Sequence, residues 1–239
     1  MWPTTTTLAV DLGSCTAGVW AAHRGTVTGP LGHPYASRGR VVDVDGCAAV
    51  LSRLVRQYEQ PVRPGGVVVA CRPVLASEDE QAAVRRVLGL AFAPRRVLFV
   101  DTVRAAAIGS GSAAGTLLIV DVGAGLTEVA LLRNGHVVAA RRTEIGTGDL
   151  SRGATVDQLG DIVVRHVDDL RSGPEMPDVL TAMARGLLLV GDGAVQPGLV
   201  PAVSGALGAR VHRAAAPRTA ALSGAGMAAT SLSRHPAGV

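Results

Sequence analysis

The sequence predicts an α/β protein built from two successive copies of one lobe, and three observations carry that prediction. First, the chain repeats itself: Leu8-Ala-Val-Asp-Leu-Gly13 returns as Leu118-Ile-Val-Asp-Val-Gly123, so that Asp11 and Asp121 stand 110 positions apart. In the same order, Val67–Ala70 returns as Leu187–Val190, and Ala107-Ile-Gly-Ser-Gly111 as Leu222-Ser-Gly-Ala-Gly226. Second, short apolar runs of strand length alternate with stretches whose apolar residues recur every three or four positions, the pattern of alternating strands and helices. Third, 48% apolar and 18% charged residues in 239 positions suffice for sizeable cores and exclude general disorder. The first lobe is expected to span 1–111 and the second 112–239.

Each copy reads as βββαβαβα. In the first, strands near 6–11, 16–22 and 25–28 precede a helix for which Asp45 is the expected cap, with Cys47, Val50, Leu51, Leu54, Val55 and Tyr58 on its inner face. A strand at Val67–Ala70 follows. Ser77 and Glu80 have capping-box spacing and open a second helix, whose Ala83, Val84, Val87, Leu88 and Ala91 recur at helical intervals. Val97–Val100 reads as a strand and Ala105–Ile108 as a helix. In the second copy, strands are expected at 116–121, 127–132 and 136–141, then a helix over 155–171 with Val156, Leu159, Ile162, Val163, His166, Val167 and Leu170 inward. A short helix at 176–184, a strand at 187–190, a helix at 197–207, a strand at 210–213 and a helix at 218–230 complete it, the last bridging back to the first lobe.

Composition removes several kinds of chemistry. All 23 basic residues are Arg, so mechanisms that need a Lys amine, P-loop phosphate binding and Schiff-base formation among them, are excluded. The charge of +4 is spread along the chain rather than gathered in a block, and six aromatic residues offer little for stacking on bases, so nucleic acid is not an expected partner. Cys15, Cys47 and Cys71 are odd in number and far apart, which argues against a disulfide framework or a zinc site and for a reducing compartment. No signal-peptide pattern or long apolar span is evident, so a cytoplasmic protein is expected, and without an Arg near Trp2 direct membrane anchoring is not. The six histidines, His23, His33, His136, His166, His212 and His235, show no metal spacing. Arg95-Arg96 and Arg141-Arg142 lie at strand ends, where solvated surface is the plain reading and an interface the alternative, and Asp168-Asp169 beside Arg165 and Arg171 reads as a solvated face.

A single Asp-x-Gly is an ordinary tight turn. Two of them, each between apolar strands and at matched places in a repeat, would face one another across a cleft if the lobes pack about a pseudo-twofold axis. Asp11 and Asp121 would then hold a hydrated magnesium ion. The small residues Gly13, Ser14 and Cys15, with Gly123, Ala124 and Gly125, would let backbone amides approach phosphate oxygens.

These residues resemble the actin and DnaK-type chaperone ATPase superfamily, and within it the MreB (MreB-like, Mbl) family of bacterial actin homologues. Leu8–Trp20 resembles the first phosphate motif, Ile119–Leu131 the second, and Leu188–Val195, with Gly191, Asp192 and Gly193, the adenosine motif. Asp101–Gly111 is similar to the family segment Glu-Glu-Pro-Met-Ala-Ala-Ala-Ile-Gly-Ala-Gly, and Asp121–Val129 to Asp-Ile-Gly-Gly-Gly-Thr-Thr-Glu-Val. The resemblance implies a duplicated actin-like (ribonuclease H-like) fold around a nucleotide cleft, with ATP and Mg as ligands. It also implies filament formation and a place in bacterial cell shape and cell-wall synthesis.

Departures from the family pattern are equally specific. Connections at 21–45 and 142–155 leave no room for the family's outer subdomains. Thr102 stands where the family has the Glu that orients the attacking water, and a hydroxyl cannot take that proton as a carboxylate does. Leu126 replaces a Thr of the second phosphate motif, although Thr127 remains. Asp192 replaces a Gly of the adenosine motif, where a carboxylate near phosphates would repel them. The expectation is a minimal actin homologue with weak nucleotide binding and at most slow ATP hydrolysis, its catalytic positions Thr102 and Thr127. Such a protein would assemble with itself or with a full-length MreB and reach cell-wall synthesis proteins through such contacts. A nucleotide-independent adaptor on the same fold is the alternative, and a sugar or acetate kinase ranks third for want of substrate-binding insertions.

Overall fold

The structure, a computed structural model, describes residues 6–31 and 35–234; Trp2, His33 and His235 lie outside them. The first lobe begins with β1 (Leu8–Leu12), β2 (Thr16–Ala21) and β3 (Gly25–Pro30), an antiparallel meander. Next come two very short strands, β4 (Ala36–Ser37) and β5 (Arg40–Val41), then α1 (Val44–Val55), β6 (Val67–Arg72), α2 (Glu78–Phe92), β7 (Arg96–Asp101) and α3 (Thr102–Gly109). The second lobe repeats the plan with β8 (Thr116–Val122), β9 (Thr127–Arg133) and β10 (His136–Thr143). It continues through a 3-10 turn at Thr147–Arg152 to α4 (Val156–Arg171), α5 (Met176–Arg185) and β11 (Leu187–Val190). A second 3-10 turn at Asp192–Val195, α6 (Leu199–Leu207), β12 (Val211–Arg213) and α7 (Ala220–Arg234) follow.

Two five-stranded mixed sheets result, ordered β3-β2-β1-β6-β7 and β10-β9-β8-β11-β12, the same topology twice. Strand alternation gives each sheet two apolar faces. In β1, Leu8 and Val10 point to an outer core under α1 and α2, while Ala9 points the other way. In β8, Leu118, Val120 and Val122 meet α4, α5 and α6, while Ile119 points the other way. Those opposite faces share one central core, in which α3 and α7 are held between the two sheets. Although it follows the second sheet in sequence, α7 packs against α3, β1, β2 and β6 of the first lobe. The two helices come very close: a Cβ on Gly224 would run into the Ala105 carbonyl, and one on Gly109 into that of Ala220. The Ala-rich central layer follows from this approach, since larger side chains do not fit between backbones in contact.

Helix starts are set locally. Ser77 accepts from the Glu80 amide at 3.1 Å and Glu80 reaches back to the Ser77 amide at 2.7 Å, the predicted capping box. Thr155 and Gln158 do the same for α4. Asp45 is not the cap of α1: Asp43 takes that place, accepting from the Gly46 amide at 2.9 Å, and Asp45 sits within the first turn where its charge suits the helix dipole. The β4–β5 hairpin is unpredicted, because two-residue strands carry no readable periodicity.

Candidate nucleotide cleft

The strand alternation that puts Ala9 and Ile119 in the central core puts the next same-face residues, Asp11 and Asp121, at the carboxyl ends of β1 and β8. There the sheet runs out and a crevice opens, the usual ligand position in α/β folds. Both aspartates line one cavity of about 270 Å3 between the lobes. Each Asp-x-Gly begins a hairpin closed by the same bond: Gly13 N–H donates to the Thr16 carbonyl and Gly123 N–H to the Leu126 carbonyl, both at 2.9 Å. The tips between them, Ser14-Cys15 and Ala124-Gly125, also line the cavity, as do Gly191, Asp192 and Thr102. At Gly191, φ is +80°, and a side chain there would strike the Asp121 carboxylate, so this position requires glycine.

Burial dominates the electrostatics. It raises the Asp11 carboxyl to about 6, and, with repulsion from Asp11 and Asp192 added, raises Asp121 to about 7. Glu128 is the residue that sequence reasoning missed. It is register partner to Asp121 on β9, lines the same cavity, and accepts from the Val74 amide at 2.6 Å; burial and the neighbouring Asp121 raise it well above the ordinary carboxylate range. The available signal was its place on the central face of β9 with Ala130 and Leu132, where an ionisable side chain needs a reason. Cys71, also on the cavity wall, is a buried thiol pushed up first by burial and then by the two aspartates.

Some expectations need correction. Thr127 does not line the cavity: it is fully buried and its hydroxyl donates to the Ile145 carbonyl at 2.9 Å, because strand alternation turns it to the outer face of β9. Gly193 is a packing residue as well, buried against the Val122 side chain rather than on the cavity wall. Asp192, on the cavity wall, is paired with Arg218 at 2.8 Å. Of the two readings of Arg142, solvent does not hold: its side chain is 9% exposed and pairs with Glu80 across the lobes at 3.1 Å. Thr102 does line the cavity, with its hydroxyl proton given to the Arg72 carbonyl at 2.9 Å, and Asp101 turns away to pair with Arg72.

The arrangement suits a magnesium polyphosphate ligand. Half-buried carboxylates raised mainly by desolvation gain most from a divalent cation, and glycine-rich tips offer amides to phosphate oxygens. Among the described residues no three His, Cys, Asp or Glu side chains are grouped so as to hold a metal ion. No helix among them is long and apolar enough to cross a membrane.

Comparison with known proteins bears on the fold and the family. The fold matches that of MreB5 of Spiroplasma citri bound to AMPPNP, with a TM-score of 0.81, 13% identity and 98% of each chain covered. It also matches the MamK double helical filament, at 0.75, 16% identity and coverage of 94% of this chain and 98% of the other. The cell shape-determining protein MreB of Escherichia coli K12 is 34% identical over 113 residues, 45% of this chain. That match covers about a third of the relative's length, 32%. The family profile described as MreB/Mbl protein matches residues 33–156, more than half of the chain, and includes β6 to α3 and the second Asp-x-Gly hairpin. The chain belongs to the MreB/Mbl family.

Proposed function

We propose that this protein is a compact actin homologue that binds Mg-ATP weakly in the cleft between its lobes, assembles through MreB-type contacts and supports cell shape. The observation that carries the reading is the pair of matched hairpins, each presenting a half-buried aspartate and a small-residue tip to one cavity. Asp11 and Asp121 would hold the hydrated magnesium ion, which neutralises phosphate charge. Gly13, Ser14 and Cys15 with Ala124 and Gly125 would hold the phosphates; the Arg218–Asp192 pair and Gly191 flank the adenosine end. MreB5 crystallised with AMPPNP, the MamK filament and the shape-determining MreB of E. coli lend support from this fold and family. Self-association, or association with a full-length MreB, is the partner reading that follows.

Hydrolysis should be slow. Thr102 is bonded to the backbone, and replacing a carboxylate base by a neutral hydroxyl costs roughly 10²- to 10⁴-fold in rate. That same residue favours the second reading, an adaptor that kept the fold without the chemistry. Isothermal titration with Mg-ATP separates them: the nucleotide reading expects a Kd no tighter than roughly 10 μM, lost in Asp11→Ala and Asp121→Ala, together with near-background phosphate release. Absence of any heat, with sedimentation indifferent to ATP, would move the assignment to the adaptor.

A further inference from the structure

One edge of the cleft is crossed by the unpredicted β4–β5 hairpin. At its turn, Arg38 adopts φ +51° and its guanidinium donates to both carboxylate oxygens of Asp149, at 2.5 and 2.6 Å, and to the Gly125 carbonyl at 3.3 Å. The adjacent Gly39 amide donates to the Ser14 hydroxyl at 3.2 Å. A hairpin from the first lobe therefore touches the tips of both Asp-x-Gly turns and is anchored to the second lobe. Asp149 is itself fixed, accepting from the Gly146 amide at 2.9 Å. Beyond it, Arg40 pairs with Glu80 and Glu144, extending the ionic seam between the lobes.

Under this seam the two tips are in contact. A Cβ placed on Gly125 would lie 2.5 Å from the Ser14 hydroxyl oxygen and 3.2 Å from the Arg38 amide nitrogen. A phosphate group seated between the tips needs them apart, and the bidentate Arg38–Asp149 pair, directional and largely shielded from solvent, opposes that separation.

We propose that the β4–β5 hairpin is a strap, clasped by Arg38 on Asp149, that keeps the cleft closed and gates the passage of a polyphosphate ligand. The strap's geometry stands on its own; its ligand rests on the nucleotide reading above.

The cysteines supply the test. Cys71 is buried on the cavity wall, Cys47 is buried in the first outer core with its thiol donating to the Tyr35 carbonyl, and Cys15 is exposed. A timed pulse of N-ethylmaleimide on the full chain, read by peptide mass spectrometry, follows all three without any nucleotide. Arg38→Gln and Asp149→Asn should each label Cys71 about tenfold faster with Cys47 unchanged. Arg38→Lys, which keeps charge but loses the fork, should fall between. Unchanged Cys71 labelling overturns the strap, and so does acceleration of Cys47 in the same proportion, which reports loosening of the whole lobe. In a second arm, release of a fluorescent ATP analogue should be about tenfold faster from Asp149→Asn. If the unsubstituted protein binds no nucleotide, the cleft reading fails while the thiol result still decides the strap.

Discussion

The two Asp-x-Gly hairpins share a register and a closing hydrogen bond, yet one is open and the other covered. The tip of the first, Cys15, is exposed; the corresponding tip of the second, Gly125, is buried. The Gly123 and Ala124 carbonyls are taken by the Thr147 and Gly148 amides at 2.9 and 2.8 Å, and the strap lies over the tip. In the first hairpin it is the Cys15 carbonyl that is taken, by the Leu31 amide at 2.8 Å. Their register partners differ too. Opposite Asp11 is Gly18, where a Cβ would lie 2.5 Å from a methyl carbon of Leu222 on α7; opposite Asp121 is Glu128, which reaches across to the Val74 amide. A repeated sequence dictates a repeated turn, because the turn is local. Its cover comes from segments that are not repeated.

The largest test of that difference concerns the aspartates. Their raised values mean that stability is fully present below about pH 4, where both are protonated folded and unfolded, and is lost as pH rises through about 6 for Asp11 and about 7 for Asp121. At pH 8, Asp121→Asn should stabilise the fold by on the order of 3 kcal/mol, and Asp11→Asn by less. Urea unfolding at pH 5 and pH 8 measures both, and a stability that rises across this range would refute the buried-acid account. Asp149 has the opposite sign: its bonds to Arg38 hold it near 2, so the strap's contribution persists above about pH 4 and fades as pH falls toward 2.

A side chain on the covered tip is the next largest effect. Gly125→Val forces the tip against Ser14 and the Arg38 backbone and should cost roughly 2 kcal/mol, seen as a lower urea midpoint. Its counterpart on the open tip, Cys15→Ala, should stay within about 0.5 kcal/mol. Equal costs at the two sites would show that the asymmetry of cover is not energetic.

Much of the architecture was legible before the structure. The hairpins, the outer-face helices and the capping box at Ser77 each rest on periodicity or on contacts within four residues, and local chemistry of that range is written in consecutive positions. The aspartates were legible because their motif occurs twice. Glu128 and the Arg38 strap were not, since each acts through a partner far along the chain, Val74 in one case and Asp149 in the other. Thr127 was misplaced for a related reason: a motif names a residue, whereas the pleat decides which face it serves.

The sequence by itself determined that two βββ-led lobes form, that each ends a strand in Asp-x-Gly, and that no Lys is present to bind phosphate. Only the tertiary structure decided that Glu128 and Asp192 join the two aspartates in one cavity, and that a hairpin of two-residue strands bridges both turns. The physical reason is range. Backbone propensity and alternation act over a few residues, while burial, charge coupling and close helix approach depend on which distant surfaces meet, and that is settled only when both sheets close on α3 and α7.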